Sequence, residues 1–269
     1  VRGYEVCFLD PDARESGSYH AFGLEAPPES LVGFLSEEGV HPPSRTIPYG
    51  GQRIRPSVSV ALDDLPETVL SKTEEGILFL SLERAKPPGP TDEDEWAPQD
   101  LRIEDDRERP VTLIRLEASP EAPPLDLLKS LDWVLVVVDP SFNSVEMAAE
   151  VGEQVIQLQQ ESWAGTTTAI CPPGGDPSGR TTGEGPHMGL LAILNHIPDP
   201  ATEQFFVTAI SQQAHIQPIG AIREDHEVNE AGIRGQRMPE HKAEARVRKI
   251  VERIEEAELQ LLDAAEECA

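Results

Sequence analysis

Ten residues do most to limit what this chain can become. Leu131-Asp-Trp-Val-Leu-Val-Val-Val-Asp-Pro140 is an apolar run, valine-rich from Val134 to Val138, that stops on an acid and a proline. It has no polar alternation, the pattern expected of a strand buried on both faces of a parallel sheet. A helical pattern comes at once after it. Asn143 is placed to cap it with Glu146 three residues on, and Val145, Ala148, Ala149, Gly152, Val155 and Ile156 keep helical spacing. Strand, short break and helix make half of a βαβ unit, and ligands of such sheets lie at the carboxyl ends of the strands. A purely structural strand would read the same way, so the stretch speaks to fold class and leaves function open.

The same alternation runs through most of the chain. Strand-like runs are Glu5–Asp10, Pro56–Leu62, Gly76–Leu82, Val111–Ile114, Gly189–Leu194 and Ile216–Ile222. Between them, helical patterns cover Ser30–Leu35, Leu65–Leu70 (helix or turn), Leu125–Leu131, Asn143 to about Gln160, the segment capped by Asp199-Pro200, and His226–Ile233. A long amphipathic helix, Pro239–Ala265, closes the chain, with Val247, Ile250, Val251, Ile254, Leu261 and Leu262 as its stripe. Strands alternating with helices predict an α/β fold with a doubly wound, mainly parallel sheet. The expected organisation is an α/β domain over 1–238 with a helix over 239–269 packed on it or extending from it. Two Pro-, Gly- or acid-rich loop excursions, 86–110 and 163–189, interrupt the domain.

Charge excludes one class of function. The chain of 269 residues carries 22 basic and 49 acidic side chains, a net charge of −27, and a field of that sign repels phosphate backbones. Nucleic-acid binding through a broad basic surface is therefore disfavoured. Salt adaptation, a basic partner or simple solubility would each explain the acidity. The 3 cysteines, Cys7, Cys171 and Cys268, are scattered and form no C-x-x-C pair, which argues against a disulfide framework and suits a reducing, cytoplasmic setting. No apolar stretch reaches the length of a membrane span.

Chemistry-bearing residues gather at strand ends: Asp10 and Asp12, Glu117, Asp139 and Asn195. If the strands are parallel, these lie along one sheet edge. Paired carboxylates at such an end are what a magnesium–phosphate site needs, since hard cations take oxygen ligands; loop or capping acids look identical in sequence. Gly179-Arg-Thr-Thr-Gly-Glu-Gly185 invites a phosphate-loop reading and fails it, having no lysine and no G-x-x-x-x-G-K-[ST].

In their order, several segments resemble the MinD/ParA-type P-loop ATPases, and within them the CooC-like branch that matures carbon monoxide dehydrogenase. Arg2-Gly-Tyr-Glu-Val-Cys-Phe-Leu-Asp-Pro-Asp12 is similar to that family's second strand with its D-x-D ending, and Tyr19–Leu24 and Pro27–Leu31 are similar to the family's next segments. Asp132–Ser141 resembles the family's DLVLVVVDPS strand, Ser144–Ala148 the next helix, Leu194–Asp199 the LNKV-D element, and Pro218–Ile222 with Glu230–Gly235 the closing segment.

The resemblance implies an ATP-dependent switch. Asp12 would orient the attacking water, and Asp10 and Glu117 would lie near Mg2+. Asn195 would read the adenine edge, with Arg223, Glu224 and Asp225 beside the base. Slow hydrolysis across a nucleotide-bridged homodimer would drive change in a client protein. Asp139 is then read as capping the turn into the following helix. The departures are specific. Residues 1–269 contain no Gly-rich, lysine-bearing phosphate loop, so ATP and Mg2+ are expected only with such a loop upstream of Val1, and the given chain alone is expected to be inactive. Arg115 stands where the family has the acid that ends its Walker-B strand, with Glu117 two residues on. Residues 87–109 hold no C-x-C pair for nickel, and His196 replaces the family's lysine after Asn195. A non-hydrolysing scaffold or interaction module that keeps the fold is the rival reading.

Overall fold

Apolar strands without alternation need cover on both faces, and the chain supplies it with helices after the strands. A computed structural model describes residues 3–11, 13–40, 47–49, 52–54, 58–82, 101–108, 110–116, 131–166, 189–237 and 244–267. In chain order the elements begin with β1 (Glu5–Asp10), α1 (Ala13–Ser16), α2 (Ser18–Ala21), α3 (Leu31–Glu37), β2 (Ile47–Tyr49), β3 (Gln52–Ile54) and β4 (Val58–Ala61). Next come β5 (Leu70–Lys72), β6 (Leu78–Ser81), β7 (Leu101–Glu104), β8 (Pro110–Ile114), β9 (Trp133–Val138), α4 (Phe142–Thr166) and β10 (Gly189–Ile197). Last are α5 (Pro200–Ala209), β11 (Gln217–Arg223), α6 (His226–Ile233) and α7 (Glu244–Glu267). No helix among the described residues is long and apolar enough to cross a membrane.

The chain forms two compact units, and they interleave in sequence: Val1–Glu117 with His226–Pro239, and Ala118–Asp225 with Glu240–Ala269. In the first unit the sheet order is β5-β6-β1-β8, with β1 parallel to both β6 and β8 and β5 antiparallel at the edge. Cys7, Leu9, Leu31, Leu35, Val60, Leu62, Val69, Leu80 and Leu82 form its core. Ser30 caps α3 by accepting from the Gly33 N–H, and Leu31 and Leu35, one turn apart, deliver that helix's apolar face to the core. Phe8, Phe22 and Phe79 pack ring against ring nearby, centroids 4.8 to 5.6 Å apart.

The second unit holds a fully parallel sheet, β11-β10-β9. Val138, Val145, Ala148, Ala192, Leu194, Ile197, Phe206 and Ile210 are buried between that sheet, α4 and α5. Two glycines allow close packing. A Cβ at Gly189 would lie 2.2 Å from the Trp133 ring, and one at Gly220 would lie 2.5 Å from Ile250 Cγ1 of α7. That helix also covers the outer edge of β11: Arg246 Nη1 donates to the Ala221 carbonyl at 3.3 Å, and Arg253 donates to that of Ile219. Carbonyls two residues apart point the same way from a strand, so two arginines seven apart on the helix occupy one side of β11, an edge otherwise open to strand pairing.

Several local expectations shift. Among the described residues β9 lies at the edge of its three-stranded sheet, and the apolar run is incompletely covered at its end, where Val137 is 60% exposed. Ser141, not Asn143, caps α4, its hydroxyl accepting from the Ser144 N–H at 3.1 Å. α4 runs to Thr166, past the expected end near Gln160 and into the 163–189 excursion, and β7 and the first residue of β8 fall inside the 86–110 excursion. The Leu65–Leu70 segment comes after a short 3-10 turn, Leu62–Asp64, and its last residue starts β5. The Leu125–Leu131 helix lies outside the described residues except for Leu131.

Candidate functional site

Each unit presents one polar cluster where its parallel strands end. In the first unit the cluster centres on Asp10, the last residue of β1. Its backbone carbonyl accepts from the Leu82 N–H at 3.0 Å, and the Arg115 N–H donates to the Leu9 carbonyl at 3.0 Å. The ladders therefore fix Arg115 beside the strand end before any side chain is considered. Asp10 is completely buried. Its Oδ2 accepts from the Ser16 hydroxyl at 2.8 Å and from the Ser18 hydroxyl, and its Oδ1 lies 3.4 Å from Arg115 Nη1. Ser16 in turn accepts from the Ser18 N–H at 3.1 Å, which ties α1 to α2. A carboxylate buried without partners would be very costly; here hydroxyls and a guanidinium replace its lost hydration.

That arrangement bears on the divalent ion implied by the D-x-D resemblance. Mg2+ takes oxygen ligands and sheds water reluctantly. Asp10 offers a carboxylate already engaged by two hydroxyls and a guanidinium, and an ion bound directly there would face that like charge. Direct ligation of a divalent cation by Asp10 does not fit this donor set. Among the described residues no group of three or more His, Cys, Asp or Glu side chains is placed to hold a metal ion. Asp12 and Glu117 lie outside the described residues.

Elsewhere on β1, burial pushes the Cys7 thiol up to about 11, with Arg107 opposing and Asp105 adding to the rise. Asp105 and Arg107 pair with each other, and hydrogen bonding from Arg107 holds the Asp105 carboxyl below its usual range.

In the second unit the cluster forms around an irregularity. β10 pairs regularly with β9 up to Leu194↔Val138, while on its other side the register with β11 jumps between Leu194 and Ile197. Three steps on β10 match two on β11, and His196 takes a left-handed backbone, φ 53°. Such bulges re-aim side chains at strand ends. Here Asn195 Nδ2 donates to Asp139 Oδ1 at 3.3 Å, and His196 Nδ1 lies 3.6 Å from the same oxygen. Asp139 thus receives side chains from the neighbouring strand, and the expected helix-capping role falls to Ser141 instead. At the end of β11, Arg223 Nη2 is 3.6 Å from Glu203 Oε2 on α5, and its buried Nε has no hydrogen-bond partner among the described residues. The Glu224 N–H donates to the Ile197 carbonyl at 3.1 Å, and Asp225 is half-buried at the end of the unit. Asn195 and the Arg223–Asp225 segment therefore stand at neighbouring strand ends.

Sequence reasoning singled out Asp10, Asp139 and Asn195 individually and missed the pairs they make. Ser16-Gly-Ser18, six and eight residues beyond Asp10, was the one visible hint of hydroxyl partners; nothing local announces Arg115, 105 residues away.

No family model matches the chain, and no curated protein matches it. Solved structures do. A chain of the MinC:MinD cell division protein complex from Aquifex aeolicus is 14% identical, with a TM-score of 0.51 over 94% of this chain and 83% of that one. The MinD cell division protein of Aquifex aeolicus is 17% identical at a TM-score of 0.47, covering 94% and 84% of the two chains. A ParA family ATPase from Chlorobium tepidum TLS is 12% identical at 0.42, covering 88% and 78%. At these identities the likeness is one of fold: an α/β architecture with parallel sheets and a C-terminal helix, similar to that in the MinC:MinD complex structure.

Proposed function

We propose that the chain belongs to a nucleotide-dependent switch of the MinD/ParA type that binds ATP and acts on a partner protein. The fold similarity over 94% of the chain at a TM-score of 0.51 carries this reading. In it, residues 1–238 form the nucleotide-binding domain and 239–269 its terminal helix. Asp12 orients the attacking water, and Glu117 lies toward Mg2+. Asn195, held by Asp139, meets the adenine edge with Arg223, Glu224 and Asp225 beside the base. Lysine and backbone amides supply most phosphate binding in such proteins, and residues 1–269 contain no G-x-x-x-x-G-K-[ST] element. Function as a cytoplasmic homodimer and a client in metalloenzyme maturation, as in the CooC-like branch, or in cellular positioning complete the proposal. A protein partner is supported by the similar MinC:MinD complex structure.

The test is calorimetry with ATP and Mg2+ on the full-length protein, followed by steady-state phosphate release. Binding with slow turnover is expected, and Asp12→Asn should abolish turnover while sparing binding. Absence of ATP binding by the full-length protein removes the reading.

One observation favours a second reading, a scaffold that keeps the fold without hydrolysis. Arg115 occupies the end of β8, its guanidinium 3.4 Å from Asp10, where the resemblance calls for an acid. Nucleotide binding without phosphate release, in wild type and Asp12→Asn alike, would select that alternative.

A further inference from the structure

Beyond the proposed function, we infer that Arg115 is a tethered cation: its guanidinium supplies, within the chain, the positive charge that a divalent ion would otherwise bring to Asp10. Three observations carry this. Asp10 has no exposed surface, so its charge must be compensated from inside the protein. Both carboxylate oxygens are engaged, one by the Ser16 and Ser18 hydroxyls and the other by Arg115 Nη1 at 3.4 Å. Finally, Arg115 is held in place by its backbone, its N–H donating to the Leu9 carbonyl at 3.0 Å, while its side chain stays 34% exposed. The guanidinium thus lies on Asp10 Oδ1 while the two hydroxyls hold Oδ2.

A planar, permanently charged guanidinium suits this place better than an ammonium or a metal, because it carries its charge with weaker hydration and needs no refilling. The consequence is a strand end whose α1–α2 connection, gathered by Ser16 and Ser18 on Asp10, is set without metal.

The experiment uses Mn2+ alone, with no nucleotide, so it is independent of ATP binding. Free Mn2+ is titrated by electron paramagnetic resonance against wild type and Asp10→Asn. The many other acids bind weakly in both proteins, so superimposable isotherms are expected. A wild-type site lost in Asp10→Asn overturns the inference. In thermal melts, wild type should not respond to Mn2+ any more than Asp10→Asn does. Arg115→Ala should melt several degrees lower and regain part of that loss in millimolar Mn2+, while Arg115→Lys, which keeps the charge without the planar fork, should fall between Arg115→Ala and wild type. An Arg115→Ala protein that melts like wild type, or whose lowered midpoint Mn2+ leaves unchanged, overturns the equivalence of guanidinium and ion. Should Arg115→Ala fail to fold, the wild-type and Asp10→Asn isotherms decide alone.

Discussion

Two aspartates end parallel strands, one in each unit, and their surroundings could hardly differ more. Asp10 is sealed off and bonded to hydroxyls and a guanidinium, whereas Asp139 is 55% exposed and faces an amide and an imidazole. Individual aromatic residues show the same contrast, although Phe206 of the second unit is buried. Phe79 is fully buried in the first unit, while Phe142 and Phe205 of the second, 5.9 Å apart, are 63% and 51% exposed. The first unit uses its strand-end polarity to hold itself together; the second leaves its strand-end polarity facing water, where a ligand or partner can reach it. Burial decides this, because a charge pair in high dielectric contributes little and an unpaired buried charge costs much.

The largest expected effect comes from breaking the buried pair. Arg115→Leu should cost up to about 3–5 kcal/mol in urea unfolding, since it takes the guanidinium from a buried carboxylate that keeps only neutral hydroxyl donors among the hydrogen bonds described above, and Asp10→Leu combined with it should recover much of that loss. A loss below about 1 kcal/mol, the range of exposed pairs, would erase the contrast between the two aspartates.

Next comes pH. Cys7 lies on the same strand, and its folded value is raised from 9.0 to about 11. The folded thiol keeps its proton where the unfolded one loses it, so its contribution is fully present below pH 9 and is lost as pH rises toward 11. The loss should approach about 3 kcal/mol above pH 11 by the linkage relation, with about half of it reached by pH 10, and should be absent in Cys7→Ala, checked by urea melts at pH 8, 9 and 10. Parallel pH profiles for wild type and Cys7→Ala would show that β1 is less sealed than its packing indicates.

At the exposed cluster the effects should be small. His196→Asn, which suits a left-handed backbone better, should leave stability unchanged or raise it by about 0.5 kcal/mol in the same assay. Smallest of all, Asp139→Ala should change unfolding free energy by less than about 0.5 kcal/mol. On the proposed reading it should nevertheless weaken ATP binding by the full-length protein by freeing the Asn195 amide. A large stability loss would show that Asp139 does the same structural work as Asp10.

Much of the element plan was legible because it is local. Glu5–Asp10 and His226–Ile233 coincide with the expected spans, and Asp199 caps α5 through the Ala201 and Thr202 N–H groups with Pro200 at the first helical position, as its sequence indicates. Local errors were also of local origin: Asn143 and Ser141 are both good caps two residues apart, and only the path of the chain out of β9 selects the serine. The apolar run of β9 misled differently. Hydrophobicity indicates that a strand can be covered on both faces, but not how many strands its sheet contains or whether it lies at the edge.

What the sequence determined by itself is therefore the alternation of strand and helix, the parallel α/β class it implies, and the net charge of −27. Tertiary structure decided which side chains meet at the strand ends. Residues 226–239, after the last strand of the second unit, return to the first; Arg115 reaches Asp10 across 105 positions; and one extra residue in β10 turns Asn195 and His196 onto Asp139. The reason is that hydrophobic period and capping act over a few residues, whereas register, burial and charge pairing are settled only when distant segments are closed against one another.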